Sequence, residues 1–331
     1  MNHRLAALAG AAAIACASLT LPTGASADET LRISLQLPLK SHLGQNLLLF
    51  KEAVEESSDM TVEIYDSAQL FKDKDVPEAV ASGQIEMGVA SLTRFVGEIP
   101  AVDVFYMPFV LNTEDKVRKA VAPDSSVRGP LDAAMLETGA RPLWWQAYGG
   151  VILLSNDAPI KTPADIKDKK VRVFGKTLGT WIQVLGGVPT LISGSEQFLA
   201  YQRGTVDVGM TGVSGVKSRS LWDVMDTITV TNNADIEFVV LINEDFWQGL
   251  DDGQRKVITA AALKAEDDVR NRVSQIEADA YKAAKDNGMT VYHPTEAEIA
   301  EWKKASAPVI DEWLKTSGEL GKQVLDAANK L

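Results

Sequence analysis

Apolar and polar positions along the chain change period several times, and two of the resulting patterns are alike. A short helix closed by glycine, then an apolar strand carrying an acid, occurs over 78–88 and again over 198–209. In each copy the glycine after the last turn, Gly83 or Gly204, supplies a left-handed cap, and the apolar and β-branched residues after it suit a buried strand. The order upstream repeats as well. A strand over 31–37, a helix over about 42–56 and a strand over 61–65 precede the first copy; a strand over 170–174, a helix over about 177–186 and a strand over 188–192 precede the second. Strands alternating with helices predict parallel α/β sheets, and the same order twice predicts two similar lobes.

Elsewhere, the near-continuous apolar run 236–242 predicts a central strand, and helical periodicity runs from about 251 to 286 through Val257, Ile258, Ala261, Val269, Val273 and Ile276. A short strand over 289–292 and helices from about Thr295 and Ser317 follow, while Pro159 and Pro163 bracket a loop. The first 27 residues combine a basic start (Arg4), an apolar stretch and Ala25-Ser26-Ala27, the pattern of a secretory signal cleaved after Ala27. A soluble periplasmic protein is therefore expected, since no later segment is long and apolar enough to span a bilayer. Its length suits two lobes rather than one core.

Composition narrows the chemistry. Cys16, the one cysteine, falls inside the signal, so no thiol chemistry is expected of the exported chain. A net charge of −12 disfavours nucleic acid and anionic membrane as partners, so an anion site must be a local positive patch. Beyond the signal the histidines are His42 and His293, with no catalytic motif around them, and the pairs Asp251-Asp252 and Asp267-Asp268 read as solvated helix surface. No enzyme, cofactor or metal site is predicted.

Open α/β sheets bind ligands beyond the carboxyl ends of their strands. That rule selects Gln36, Ser91 and Arg94 in the first lobe, and Arg172, Phe174, Gly175, Met210, Thr211 and Gly212 in the second, all facing one cleft. Arg172 alternates with apolar neighbours in Lys170-Val171-Arg172-Val173-Phe174, and a cation buried there needs a partner. Asp165 or Asp207 would make a structural ion pair; a ligand carboxylate would fit the planar fork through two parallel hydrogen bonds. Arg94, in the matching place of the other lobe, favours the ligand. Trp145, Phe174 and Tyr148 are the aromatic candidates for a pocket wall. Glu237 is the candidate partner for an ammonium group, should the ligand be an amino acid or an ectoine-like zwitterion. Hinges are expected near Gly149 and Asp235.

Several segments carry a family resemblance. They are Ser82-Gly83-Gln84-Ile85-Glu86-Met87-Gly88, Met107-Pro108-Phe109, Ile160-Lys161-Thr162-Pro163-Ala164-Asp165-Ile166-Lys167 leading into Lys170-Val171-Arg172-Val173, Gly186-Gly187-Val188-Pro189-Thr190, Tyr201-Gln202-Arg203-Gly204-Thr205-Val206-Asp207 and Ile242-Asn243-Glu244-Asp245-Phe246-Trp247. In this order they resemble the DctP-like solute-binding proteins of TRAP (tripartite ATP-independent periplasmic) transporters over nearly the whole mature chain. The resemblance implies a two-lobed, type II-like α/β fold: two mixed sheets, a cleft between them and a long connecting helix. Lobe I would comprise 28–149 plus 236–275, and lobe II 150–235 plus 276–331. It implies capture of a small organic acid by hinge closure and delivery to the small and large membrane subunits; a ligand-dependent sensor would share the fold. In that family an arginine at the place of Arg172 grips the substrate carboxylate. Thr211 stands where many members have asparagine, and Gln36, Ser91, Arg94 and Gly175 match other pocket positions. Two departures, Val151-Ile152-Leu153-Leu154 in place of a second arginine and Gly209-Met210-Thr211-Gly212 in place of a Gln-Glu-Asn-Pro run, imply a less polar pocket and a compact monocarboxylate, keto acid or aromatic acid.

Overall fold

The computed structural model describes residues 29–331, so the secretory signal and Cys16 lie outside the described residues. A first run comprises β1 (Thr30–Ser34), α1 (His42–Ser57), β2 (Thr61–Tyr65), α2 (Val76–Ala81) and β3 (Met87–Ser91). Ser41 opens α1 by accepting the Gly44 amide at 3.1 Å, and Gly83, at φ 72°, closes the turn after α2 as its sequence position predicts. β1 lies between β2 and β3, parallel to both. Helices α3 (Glu114–Ala120) and α4 (Arg128–Glu137) then lead to β4 (Ala140–Ser155).

A second run repeats the first with β5 (Lys170–Val173), α5 (Lys176–Val184), β6 (Val188–Leu191), α6 (Gln197–Gln202) and β7 (Gly209–Gly212), ending in α7 (Val213–Ser218). Here β5 pairs in parallel with β6 on one side and, through a Val171–Val208 bridge, meets the approach to β7 on the other. Gly204, at φ 63°, is the counterpart of Gly83. The two runs share one strand order, as the internal echo predicts.

After β8 (Thr227–Thr229) comes β9 (Asp235–Asn243), which joins the halves. It lies antiparallel to β3, from Met87↔Ile242 to Ser91↔Phe238, just as β4 lies antiparallel to β7, from Val151↔Gly212 to Leu154↔Gly209. β4 and β9 also pair with each other, from Ala140↔Asn243 to Gly150↔Asp235. Residues 140–150 of β4 therefore belong to the first sheet and 151–155 to the second. The handover falls at Gly149, where φ is 104° and the register shifts between Ala147 and Gly149. A bulge with a residue at positive φ bends a strand in this way.

Helix α8 (Glu244–Gly249) precedes α9 (Asp252–Asp286), 35 residues that span about 52 Å at helical rise. Asp251 and Gln254 start it with a reciprocal capping box. It packs on α1 and β4 at one end of its course and on α7 at the other, so it links the two halves. β10 (Thr290–Tyr292) adds to β8, and α10 (Glu296–Ser306), α11 (Pro308–Leu314) and α12 (Gly318–Ala328) close the chain. α10 and α11 lie on α5, whereas α12 lies on the turn Pro100–Tyr106 of the first half. The C-terminal helices thus touch both lobes. Among the described residues no helix is long and apolar enough to cross a membrane.

Candidate functional site

The strand ends of both runs converge on one cavity of about 30 Å³. Gln36 enters it beyond β1, Ser91 and Arg94 at the end of β3, Arg172 from β5, Phe174 just beyond that strand, and Thr211 from β7. β9 contributes Ile236 and Phe238, two residues apart and so on one face. Tyr148 covers Phe238, ring centres 5.2 Å apart.

Arg172 is 3% exposed. Its Nε donates to the Ile192 carbonyl at 3.0 Å and its Nη1 to the Met210 carbonyl, while the guanidinium lies 5.2 Å from the Phe174 ring centre. Neither candidate structural partner reaches it. Asp165 accepts the amide of Thr162 in a capping box, and Asp207 accepts the amide of Lys170 at 2.7 Å. No carboxylate pairs with Arg172 among the described residues. Burial first, and then the nearby Arg219 and Arg94, hold its pKa below the ordinary guanidinium value.

Arg94 is differently placed. Asp73, fully buried, takes its Nε and also accepts the Ser91 amide at 2.8 Å and the Ser91 hydroxyl at 2.6 Å. Arg94 is therefore a positioned cation whose charge is matched.

Five residues singled out from sequence stand behind the cavity instead. Trp145 pairs with Val239 across the sheet, on the face opposite Phe238; its Nε1 donates to Asp132 at 2.8 Å and its ring packs against Phe105. Glu237 alternates with Ile236 and Phe238 and so points away, held by Arg270 through bonds of 2.6 and 2.8 Å. Met210 buries its side chain and offers only its carbonyl, to Arg172. Gly212 makes room for Tyr148, whose ring would lie 2.8 Å from any Cβ there. Gly175 faces Thr93 across the lobes, where an added Cβ would come within 2.4 Å of the hydroxyl.

Six cavity residues are not singled out from sequence: Asp73, Gly194, Gln197, Arg219, and Ile236 and Phe238, which read only as part of a central strand. Asp73 sits in Lys72-Asp73-Lys74-Asp75, which reads as solvated surface, and Arg219 trails α7 like an ordinary cation at a helix C-terminus. Beneath Tyr148 lies His42, whose Nε2 bonds the Ala147 carbonyl at 3.0 Å and whose ring centre is 5.3 Å from that of Tyr148. Burial lowers its pKa to about 4, so it is a neutral donor at pH 7.

Outside the cavity the halves touch directly. Lys72 and Glu196 pair at 2.8 Å, both half-exposed. Deeper in, Asp103 beside the first sheet accepts the Thr177 hydroxyl, from the first turn of α5, at 2.5 Å, and burial pushes its carboxyl up to about 6.

A family model described as bacterial extracellular solute-binding protein, family 7, matches residues 33–316. The chain belongs to that family. This solute-binding protein is 29% identical over 323 residues to the C4-dicarboxylate-binding periplasmic protein DctP of Rhodobacter capsulatus, covering 95% of this chain and 94% of the relative. It is 25% identical to the ectoine-binding periplasmic protein TeaA of Halomonas elongata, covering 84% of this chain and 82% of the relative. Among solved structures it resembles DctP6, a Bordetella pertussis extracytoplasmic solute receptor binding pyroglutamic acid, with TM-score 0.86 at 21% identity over 91% of this chain and all of that one. A TRAP periplasmic solute-binding protein from Shewanella oneidensis with bound succinate aligns with TM-score 0.86 at 24% identity, over 92% of this chain and 99% of that one. The fold of this solute-binding protein is the two-lobed TRAP type, and the relatives named are periplasmic binding proteins.

Proposed function

We propose that this solute-binding protein is the extracytoplasmic subunit of a TRAP transporter, closing its lobes on a small organic acid and handing it to the small and large membrane subunits. The observation that carries this is Arg172: a buried guanidinium fixed by two backbone carbonyls, with no acid beside it, whose Nη2 donates to nothing among the described residues. A charge removed from water without a counter-charge is costly. A ligand carboxylate entering the cavity supplies it, with Arg94, Gln36, Ser91, Tyr148, Phe174 and Thr211 around it. The relatives' periplasmic setting and the leader-like first 27 residues support secretion to the periplasm. The hinge falls where Gly149 and Gly150 face Ile236 and Asp235, dividing 28–149 plus 236–275 from 150–235 plus 276–331, with α12 reaching back to the first lobe.

An amine-bearing ligand finds little here, because the cavity's one carboxylate among the described residues, Asp73, is taken by Arg94. The test is a thermal-shift screen of the mature protein against organic acids, amino acids and osmolytes, repeated with Arg172→Ala, since a ligand of the folded state raises the melting temperature. Carboxylates are expected to shift the wild type, and Arg172→Ala to bind them at least about 30-fold more weakly, a loss of roughly 2 kcal/mol or more. Unchanged carboxylate binding by Arg172→Ala, or shifts with cationic compounds alone, would overturn this function.

A further inference from the structure

A second cavity, of about 300 Å³, lies on the far side of His42 from the ligand cavity. Lys40 and His42 bring the first lobe to it, Lys217 and Ser218 the second, and Asp268 and Arg272 the long helix α9 that links them. His42 stands between the two cavities, because its ring meets that of Tyr148, which lines the ligand cavity.

Three cations face this rear space, and two of them are unmatched. Arg272 pairs with Asp268 at 3.1 Å along α9. Lys40 and Lys217, from opposite lobes, have neither an ion pair nor a hydrogen bond among the described residues. The other acid in the wall, Asp279, accepts from Gln275 at 2.8 Å. The wall therefore keeps a net positive charge in a chain whose net charge is −12. The start of α1 adds to it. This helix has 16 residues and no acid in its first turn; Ser41 takes the Gly44 amide, and the amides of His42 and Leu43 have no partner among the described residues. Free amides at the positive end of a helix dipole favour an anion.

Ser218 supplies an independent sign. It is 7% exposed, lines this cavity, and its hydroxyl has no hydrogen-bond partner. Buried polar atoms are rarely left so unless a ligand or water completes them. Ser214, one turn earlier in the same wall, already donates to the Tyr148 carbonyl at 3.1 Å, so Ser218 is the hydroxyl with a proton to offer.

We infer that the rear cavity is a site for a small oxyanion of the phosphate or sulfate type, held by Lys40 and the start of α1 from one lobe and by Lys217 and Ser218 from the other. An anion touching both walls favours the arrangement in which they face each other. By linkage, whatever favours that closure also raises affinity in the ligand cavity. The site is separate from Arg172 and needs no assumption about the cargo.

The experiment is isothermal titration of the mature protein with inorganic phosphate and with sulfate, at an ionic strength held constant by sodium chloride. The wild type is expected to bind at least one of them with a dissociation constant of about 1 mM or below. Arg172→Ala should stay within about threefold of that value, whereas the double variant Lys40→Gln, Lys217→Gln should bind at least about 10-fold more weakly and Ser218→Ala about 3- to 10-fold more weakly. Both lysines are exposed, and circular dichroism melts check that each variant folds. Small-angle scattering should show the wild type, and not the double variant, contracting as phosphate is added. Phosphate binding that is lost in Arg172→Ala and kept in the double variant would move the anion to the ligand cavity and overturn the rear site. Absence of binding by phosphate and sulfate alike would overturn it too, in either case leaving the organic-acid anchor to its own test. Binding without contraction would overturn the link to closure.

Discussion

Arg172 and Glu237 are buried charges a few strands apart with opposite fates. Arg172 was readable because it interrupts an apolar strand near its carboxyl end, where a cation has to be satisfied from the cleft. Glu237 also interrupts an apolar strand, but alternation turns it to the far face, against Arg270. Which face is which depends on register with β4, and a single sequence does not display register; the same ignorance misplaced Trp145. Glu237→Gln leaves Arg270, with 10% of its side chain exposed, without its counter-charge. It should cost about 3–5 kcal/mol in urea denaturation while leaving carboxylate affinity in the folded protein within about twofold. A large affinity change with little loss of stability would put Glu237 back in the cleft. Asp73 and Arg219 were illegible for a simpler reason: charges amid charges carry no sign of burial.

At the scale of elements, the paired βαβαβ runs were legible because each is local, with glycine stops at Gly83 and Gly204 and strands of consistent apolar character. β4 was not. It holds Pro142, Gly149 and Gly150, residues that normally argue against a strand interior, and it is buried on both faces without alternation. Its bend depends on Gly149: at φ 104° any Cβ is strained, and here it would stand 2.4 Å from a Glu277 carboxylate oxygen that accepts the Gly150 amide. Gly149→Ala should destabilise by about 1–3 kcal/mol. Gly97→Ala, with nothing within 4 Å of its Cβ, should stay within about 0.5 kcal/mol. Equal midpoints for the two variants in the same denaturation series would remove the bend from the account.

For the molecule as a whole, the buried Asp103, bonded to Thr177 of the other lobe, ties stability to pH. Asp103 has an ordinary value of 3.8 and is raised to about 6, chiefly by burial, with the Thr177 bonds and Lys176 opposing the rise. The folded state therefore binds this proton more tightly than the unfolded chain, and the group adds stability as pH falls from about 6 towards 4. Above pH 6 the buried charge is a cost. Asp103→Asn should be more stable than wild type at pH 7, by up to about 3 kcal/mol, and lose that advantage as the pH approaches 4. Denaturation midpoints at pH 4, 5, 6 and 7 check this; a pH-independent difference would show that burial does not govern the group. Long-range contacts of this kind link residues far apart in sequence, which is why the lobes could be inferred and their mutual fit could not.

The exchange of β4 and β9 between the sheets also dictates an order of events. Met87 has its partner in Ile242, and the second sheet borrows the end of a strand whose beginning lies in the first. Neither half can complete its sheet from a contiguous piece of chain, so a fragment ending before residue 238 leaves β3 with an open edge. Contacts so distant in sequence make for slow folding, and the nascent chain must reach β9 before its first hydrophobic core can close.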